Sequence, residues 1–156
     1  DSALKHFSDT HFAGFFFTAE DVETPVARRK EWFDNATPSG NSVMLHALSA
    51  MYAVTGDTQY DAAIQSMLPA FSDYAKKVAA GVAHALEAAT THANGVTVIK
   101  VKVASDLSLL RDSLAQRPWQ RSFAMLAPSD EMTERYQLCR GTTCFAPTSD
   151  LGELFQ

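Results

Sequence analysis

TPSGNSVMLHALSAMYAVTGDTQYDAAIQSML, residues 37–68, is the stretch whose spacing decides the fold class. Val43, Met44, Ala47, Leu48, Met51 and Tyr52 recur at intervals of three and four, the repeat of one helix face. Thr37 followed by Pro38 reads as an N-cap and first helical residue, and Gly56 as the left-handed stop. Asp57 or Thr58 then caps a second helix whose stripe is Tyr60, Ala63, Ile64, Met67 and Leu68. With so short a link, the two helices are expected to form an antiparallel hairpin. After Pro69 a third helix is predicted over 72–90, with Tyr74, Val78, Val82, Ala85, Leu86 and Ala89 on one side.

Outward from this core the pattern changes on both sides. Residues 1–37 cluster aromatics around Gly14 and carry the charged VARRKEWFD, a loop or short-strand composition. Beyond Asn94-Gly95 the run VTVIKVKVA (96–104) alternates apolar residues with Thr97, Lys100 and Lys102, the period-two mark of a strand. SDLSLLRDSLA (105–115) reads as a short capped helix and RSFAMLAP (121–128) as a second strand, giving a small βαβ-like unit. From Cys139 onward the tail offers a strand, a turn and a final helical turn capped near Ser149 or Asp150. The expected class is α+β, with helical hairpins over 1–94 and a small α/β section over 95–156.

Composition narrows the function classes. At 46% hydrophobic and 20% charged, the 156-residue chain can bury a core and is neither disordered nor collagenous. Thirteen Lys and Arg against 18 Asp and Glu give a formal charge of −5, and no basic run is present to neutralise phosphates, so nucleic acid is not an expected partner. Apolar runs such as Phe15 to Phe17 fall far below the roughly 20 residues of a membrane span. A chain that opens DSALKHFSD has no initiator Met and no signal-peptide pattern, so a larger parent protein is expected. Two cysteines, Cys139 and Cys144, are too few for a disulfide scaffold; two reduced thiols and a cytoplasmic setting are expected, with a disulfide across a hairpin turn as the alternative if their Cα atoms lie within about 7 Å.

Four segments bear a family resemblance. GFFFTAEDVE (14–23), RRKEWFDNATPSGNSV (28–43), TGDTQYDAAI (55–64) and YQLCRGTTCFAPTSDLGEL (136–154) resemble, in that order, the C-terminal part of the large thioredoxin-domain proteins related to spermatogenesis-associated protein 20. The resemblance implies a parent with an N-terminal thioredoxin-like domain, followed by a helical toroid similar to the N-acylglucosamine 2-epimerase and six-hairpin glycosidase class. This chain would then hold a partial α/α toroid followed by the βαβ-like unit. The thioredoxin-like region has no counterpart in these 156 residues, and family members commonly carry Pro where Arg29 stands.

Candidate chemistry centres on Glu20, Asp21, Glu23 and Asp34, because sugar-processing sites use paired carboxylates as acid, base or nucleophile. In a toroid both TAEDVE and FDNATPSGNS would be loops lining the cavity; Asp21 and Asp34 are the catalytic candidates there, and helix capping or pairing with Arg28, Arg29 or Lys30 is the structural alternative. Trp32 is a candidate for stacking on a sugar ring, against a core role, while Asn35, Ser39 and Asn41 could bind hydroxyls at a helix start. The histidines His6, His11, His46, His84 and His92 include no HExxH, so no metal and no cofactor is expected; His46 could turn toward the cavity as a base. The leading expectation is therefore a toroid section that binds or transforms a carbohydrate. The alternative is a non-catalytic scaffold supporting the thioredoxin-like domain. Either way the uncovered helical faces are expected to dock on the parent's N-terminal domains or on a second copy of the chain.

Overall fold

The computed structural model describes all residues except 24–25, 103–106, 117–121, 128–131 and 156. The chain is α+β and divides into two compact units, residues 1–52 with 57–93, and residues 53–56 with 94–156. Among the described residues no helix is long and apolar enough to cross a membrane.

The first unit holds α1 (Ser2–His6), α2 (Gly40–Thr55), α3 (Thr58–Val78), a 3₁₀ turn (Ala79–Val82) and α4 (Ala83–Asn94). Asp57 caps α3 through its side chain, which accepts from the Gln59 N–H at 3.0 Å. The start of α2 lies two residues beyond the expected Thr37-Pro38, because Ser39 Oγ accepts from the Ser42 N–H, an N-cap bond to the third helical residue. The buried face of α2 also differs from the apolar stripe. Val43 and Met51 are exposed, whereas Asn41, Ser42, Leu45, Leu48 and Ser49 are buried. Leu48 of the expected stripe is buried and Met44 and Tyr52 pack against the core, but three of those five buried residues are polar, so hydropathy located only part of the face; each polar side chain is satisfied by hydrogen bonds on the inside.

The helix expected to end at Pro69 instead runs through it to Val78. An interior proline costs about 3 kcal/mol through its missing N–H and ring clash. Met67 and Phe71 flank it in the buried row Tyr60, Ile64, Met67 and Phe71, and burying two such side chains returns about 3–6 kcal/mol. The break falls at 79–82, where Gly81 passes so close to Phe33 that an added Cβ would lie 3.1 Å from its ring. Val82 of the turn and Ala85 and Ala88 of α4 are then buried in the core formed with Leu45, Leu48, Ile64 and Phe15.

The second unit is a four-stranded sheet of order β2-β1-β3-β4, from β1 (Thr97–Lys102), β2 (Ser122–Ala127), β3 (Tyr136–Arg140) and β4 (Thr143–Cys144). β1 and β2 are parallel and joined through α5 (Leu107–Ala115), a βαβ connection. β3 runs antiparallel to β1, with Ile99 opposite Leu138 and Val101 opposite Tyr136. Residues 103–106, expected to end the first strand and start the helix, and Arg121 and Pro128 of the second lie outside the described residues. Because β1 is central, Thr97, Val98 and Ile99 are all buried, and the expected one-sided alternation survives only at Lys100 and Lys102. Ile99, Val101, Leu110, Tyr136 and Leu154 form the core. The tail beyond Thr148 closes in turns, with Asp150 accepting from the Gly152 N–H, and not in a regular helix.

Cys139 and Cys144 stand directly opposite each other in the β3–β4 register and form a disulfide, Cα–Cα 3.9 Å. The expected pair of reduced thiols is thus replaced by the hairpin alternative. The β3–β4 pairing, which a five-residue spacing alone does not fix, brings the two sulfurs to bonding range.

Candidate functional site

Asp34 is the most connected of the sequence candidates. Its Oδ1 accepts from the Ser39 N–H at 2.8 Å and from Ser42 Oγ–H at 2.6 Å; its Oδ2 accepts from the His84 N–H at 2.9 Å. Its own backbone N–H donates to Gly81 O at 2.7 Å. One carboxylate therefore closes the starts of both α2 and α4, two places where orphan N–H groups favour an anion. Partial burial pulls its proton affinity up. The bonds from Ser42, Ser39 and His84 outweigh that and hold the carboxyl below its usual range.

The other residues of the DNATPSGNS string have equally specific partners. Ser39 is buried and pairs with Ser42 Oγ at 2.8 Å. Asn41, 1% exposed, accepts from the Phe15 N–H at 2.7 Å and donates to Phe15 O at 3.0 Å and Glu31 O at 2.8 Å. Its side-chain amide thus fastens residues 15 and 31 of the N-terminal segment to α2. Asn35 is exposed, and its side chain reaches Glu31 at 3.4 Å. Trp32 packs edge-on against Phe71 at 5.0 Å and tilted against Tyr74 at 6.0 Å. Gly14 lies beneath it at φ +90°, where an added Cβ would come within 2.6 Å of the indole and 2.8 Å of Asn41 Oδ1.

Asp21 lies elsewhere in the same unit. Its carboxylate is exposed and faces His6 Nδ1 at 3.8 Å, beside Glu20 at 3.7 Å. The structure thus brings Asp34, Ser39 and Ser42 together, and Trp32, Asn41 and Gly14 together. The partners of Asp21 and Asp34 are different residues.

The N-terminal segment is stitched by cations. Arg28 donates to Thr18 O and His6 O and lies 4.0 Å over the Phe16 ring. Lys30 bonds Asp9 at 2.6 Å and Ala13 O at 3.0 Å. The Lys30 bond, with the Phe12 and His11 N–H groups, holds the Asp9 carboxyl well below the usual carboxylate range. Against α2 this segment leaves a cavity of about 390 Å³ walled by Phe7, Phe15, Phe17, Val43 and Met44, with Glu31 at its edge. Its aromatic walls are the ones the sequence grouped around Gly14.

One further group escaped the sequence reading. His46 on α2 meets His84 and Glu87 on α4: the imidazole centroids are 4.2 Å apart, and Glu87 Oε2 lies 3.8 Å from His46 Nε2 and 3.6 Å from His84 Nδ1. Their donor atoms all fall within 4.8 Å of one another, so among the described residues these three could hold a metal ion. His84 and Glu87 stand three apart on one helix, a signal present in the sequence; the third member is 38 residues away and only the fold supplies it. No family model matches this chain, and no curated protein matches it.

Proposed function

We propose that the helical unit is a non-catalytic scaffold, a section of a partial α/α toroid that supports the thioredoxin-like domain of a longer parent. The observation that carries this reading is the state of Asp34, whose two oxygens already take three hydrogen bonds and hold two helix starts. Three of its roughly four acceptor sites are thus taken by the helix starts, and a carboxyl held below its usual range is poorly suited to donate a proton as a general acid. Trp32 supports the same reading, since its ring packs against Phe71 and Tyr74 in the core. The test is titration of this chain into the separately prepared thioredoxin-like domain of the parent by calorimetry. Saturable binding that survives Asp34→Asn supports a scaffold. Failure to bind overturns it.

A second reading, carbohydrate binding, draws on the cavity beside Glu31, whose aromatic walls and volume near 390 Å³ suit a sugar ring. Binding of a mono- and disaccharide panel, including N-acyl hexosamines, that is lost in Phe17→Ala would favour it over the scaffold. Absence of binding by both this chain and the full-length parent removes it.

A further inference from the structure

We propose that His46, His84 and Glu87 form a binding site for one Zn²⁺ or similar divalent transition ion, joining α2 to α4. The proposal goes beyond the scaffold reading and does not depend on it. His84 and Glu87 occupy positions i and i+3, so both side chains leave α4 on the same face. His46 comes from α2, and its ring lies against that of His84 at 4.2 Å between centroids. The side chains of His46 and His84 are 16% and 28% exposed and that of Glu87 is 51% exposed, so the imidazoles are sheltered while an ion still has a way in.

Zinc is bound by nitrogen and oxygen at about 2.0–2.1 Å in a tetrahedron, which puts its ligand atoms about 3.3–3.4 Å apart. The carboxylate oxygen is already 3.6 and 3.8 Å from the two imidazole nitrogens, and the whole set lies within 4.8 Å. Ion binding requires the three donor atoms, all within 4.8 Å of one another, to draw in to the tetrahedral spacing. Two imidazoles with one carboxylate favour zinc, copper, nickel or cobalt over magnesium or calcium, which require oxygen-rich sites. Three protein donors leave a fourth position for water or a partner's side chain.

The surroundings fix one of the ligands. The His84 N–H is held by Asp34 Oδ2 at 2.9 Å, which anchors the first turn of α4 and with it the point from which the His84 ring projects. His46 Nε2 lies 3.1 Å from His84 O, a bond in which the nitrogen must be the donor. Coordination through Nε2 therefore breaks the bond to His84 O, turns the ring away from that carbonyl and moves the proton to Nδ1 of the same ring, and any imidazolium proton present leaves to solvent. The competing account is that Glu87 contacts the two histidines only as a carboxylate beside protonated imidazoles. That account needs a proton where the metal site needs a dication, and the two respond oppositely to added zinc.

The test uses the full 156-residue chain without a histidine tag. Calorimetry with Zn²⁺ and absorbance with Co²⁺ should each saturate at one ion per chain, with visible Co²⁺ bands of tetrahedral intensity. His84→Ala and Glu87→Gln should each weaken Zn²⁺ binding by at least about tenfold, since each removes one of three donors. His92→Ala, whose ring pairs with Asp61 at 3.1 Å on another part of α4, should leave it unchanged. Glu87 is half-exposed, so its isosteric variant keeps the test valid should His84→Ala fail to fold. No one-to-one binding by the unaltered chain overturns the proposal, as does affinity undiminished in Glu87→Gln.

Discussion

Replacing Asp34 with asparagine and with alanine separates its two capping roles. Asparagine keeps an acceptor oxygen for the Ser39 N–H and Ser42 hydroxyl, but sets its NH₂ against the His84 N–H, so the α4 start loses its cap. Alanine removes both. Loss of one helix cap costs about 0.5–2 kcal/mol, so Asp34→Asn should cost about that much and Asp34→Ala, which loses both, about 1–4 kcal/mol. The pH dependence has a definite sign. Because the folded carboxyl titrates below its ordinary value of 3.8, its contribution is fully present above that value and fades as pH falls through and below it. Urea denaturation at pH 6 and at pH 3 is the assay, read by tryptophan fluorescence in a Trp119→Phe background so that Trp32 alone reports on the helical unit. The deficit of Asp34→Asn should shrink at the lower pH. An asparagine variant as stable as the parent at pH 6, or one whose deficit is the same at both pH values, would refute the double-cap argument.

Three further outcomes follow from the same geometry. Gly14→Ala should destabilise the helical unit by about 2–4 kcal/mol from backbone strain and contact with Trp32, whereas Gly56→Ala, equally left-handed but with nothing within 4 Å, should cost only about 1 kcal/mol; equal losses would deny the contact. Carboxyl NMR should find Asp9 ionised well below the pH at which exposed aspartates protonate, and Lys30→Met should raise its titration toward theirs. Denatured, unreduced protein should show no free thiol and two after reductant, and the Cys139→Ser/Cys144→Ser variant should lose about 2 kcal/mol from the sheet unit, the closure entropy of so short a loop.

Much of the architecture could be read from periodicity, because apolar spacing reports burial wherever burial is apolar. The face of α3 is of this kind, and the period-two run of β1 marks the strand though not its burial, since Thr97, Val98 and Ile99 are all covered. The face of α2 is not, since Asn41, Ser42 and Ser49 point inward and are satisfied there by partners as distant as Phe15. Proline likewise misleads at position 69, where a local rule meets a continuous buried row on either side. At the candidate site, the capping alternative for Asp34 was open in the sequence, but the second helix it serves begins about 50 residues later. The His46, His84 and Glu87 group has the same origin: two members share a helix turn and the third arrives by tertiary folding. Pairings that span a break such as 79–82 leave no periodic trace.

The fastening of the N-terminal segment by Asn41, Arg28 and Lys30 bears on how this protein can vary. Irregular connections are ordinarily where substitutions accumulate unnoticed. Here Asn41 holds the main chain at residues 15 and 31, Arg28 holds that at 6 and 18, and Lys30 holds that at 13, so a stretch with little regular structure depends on a few side chains for its order. In a saturation mutagenesis survey, Gly14, Arg28 and Lys30 should accept as few replacements as Ile64 at the centre of the core, while their neighbours Thr10 and Arg29 vary freely.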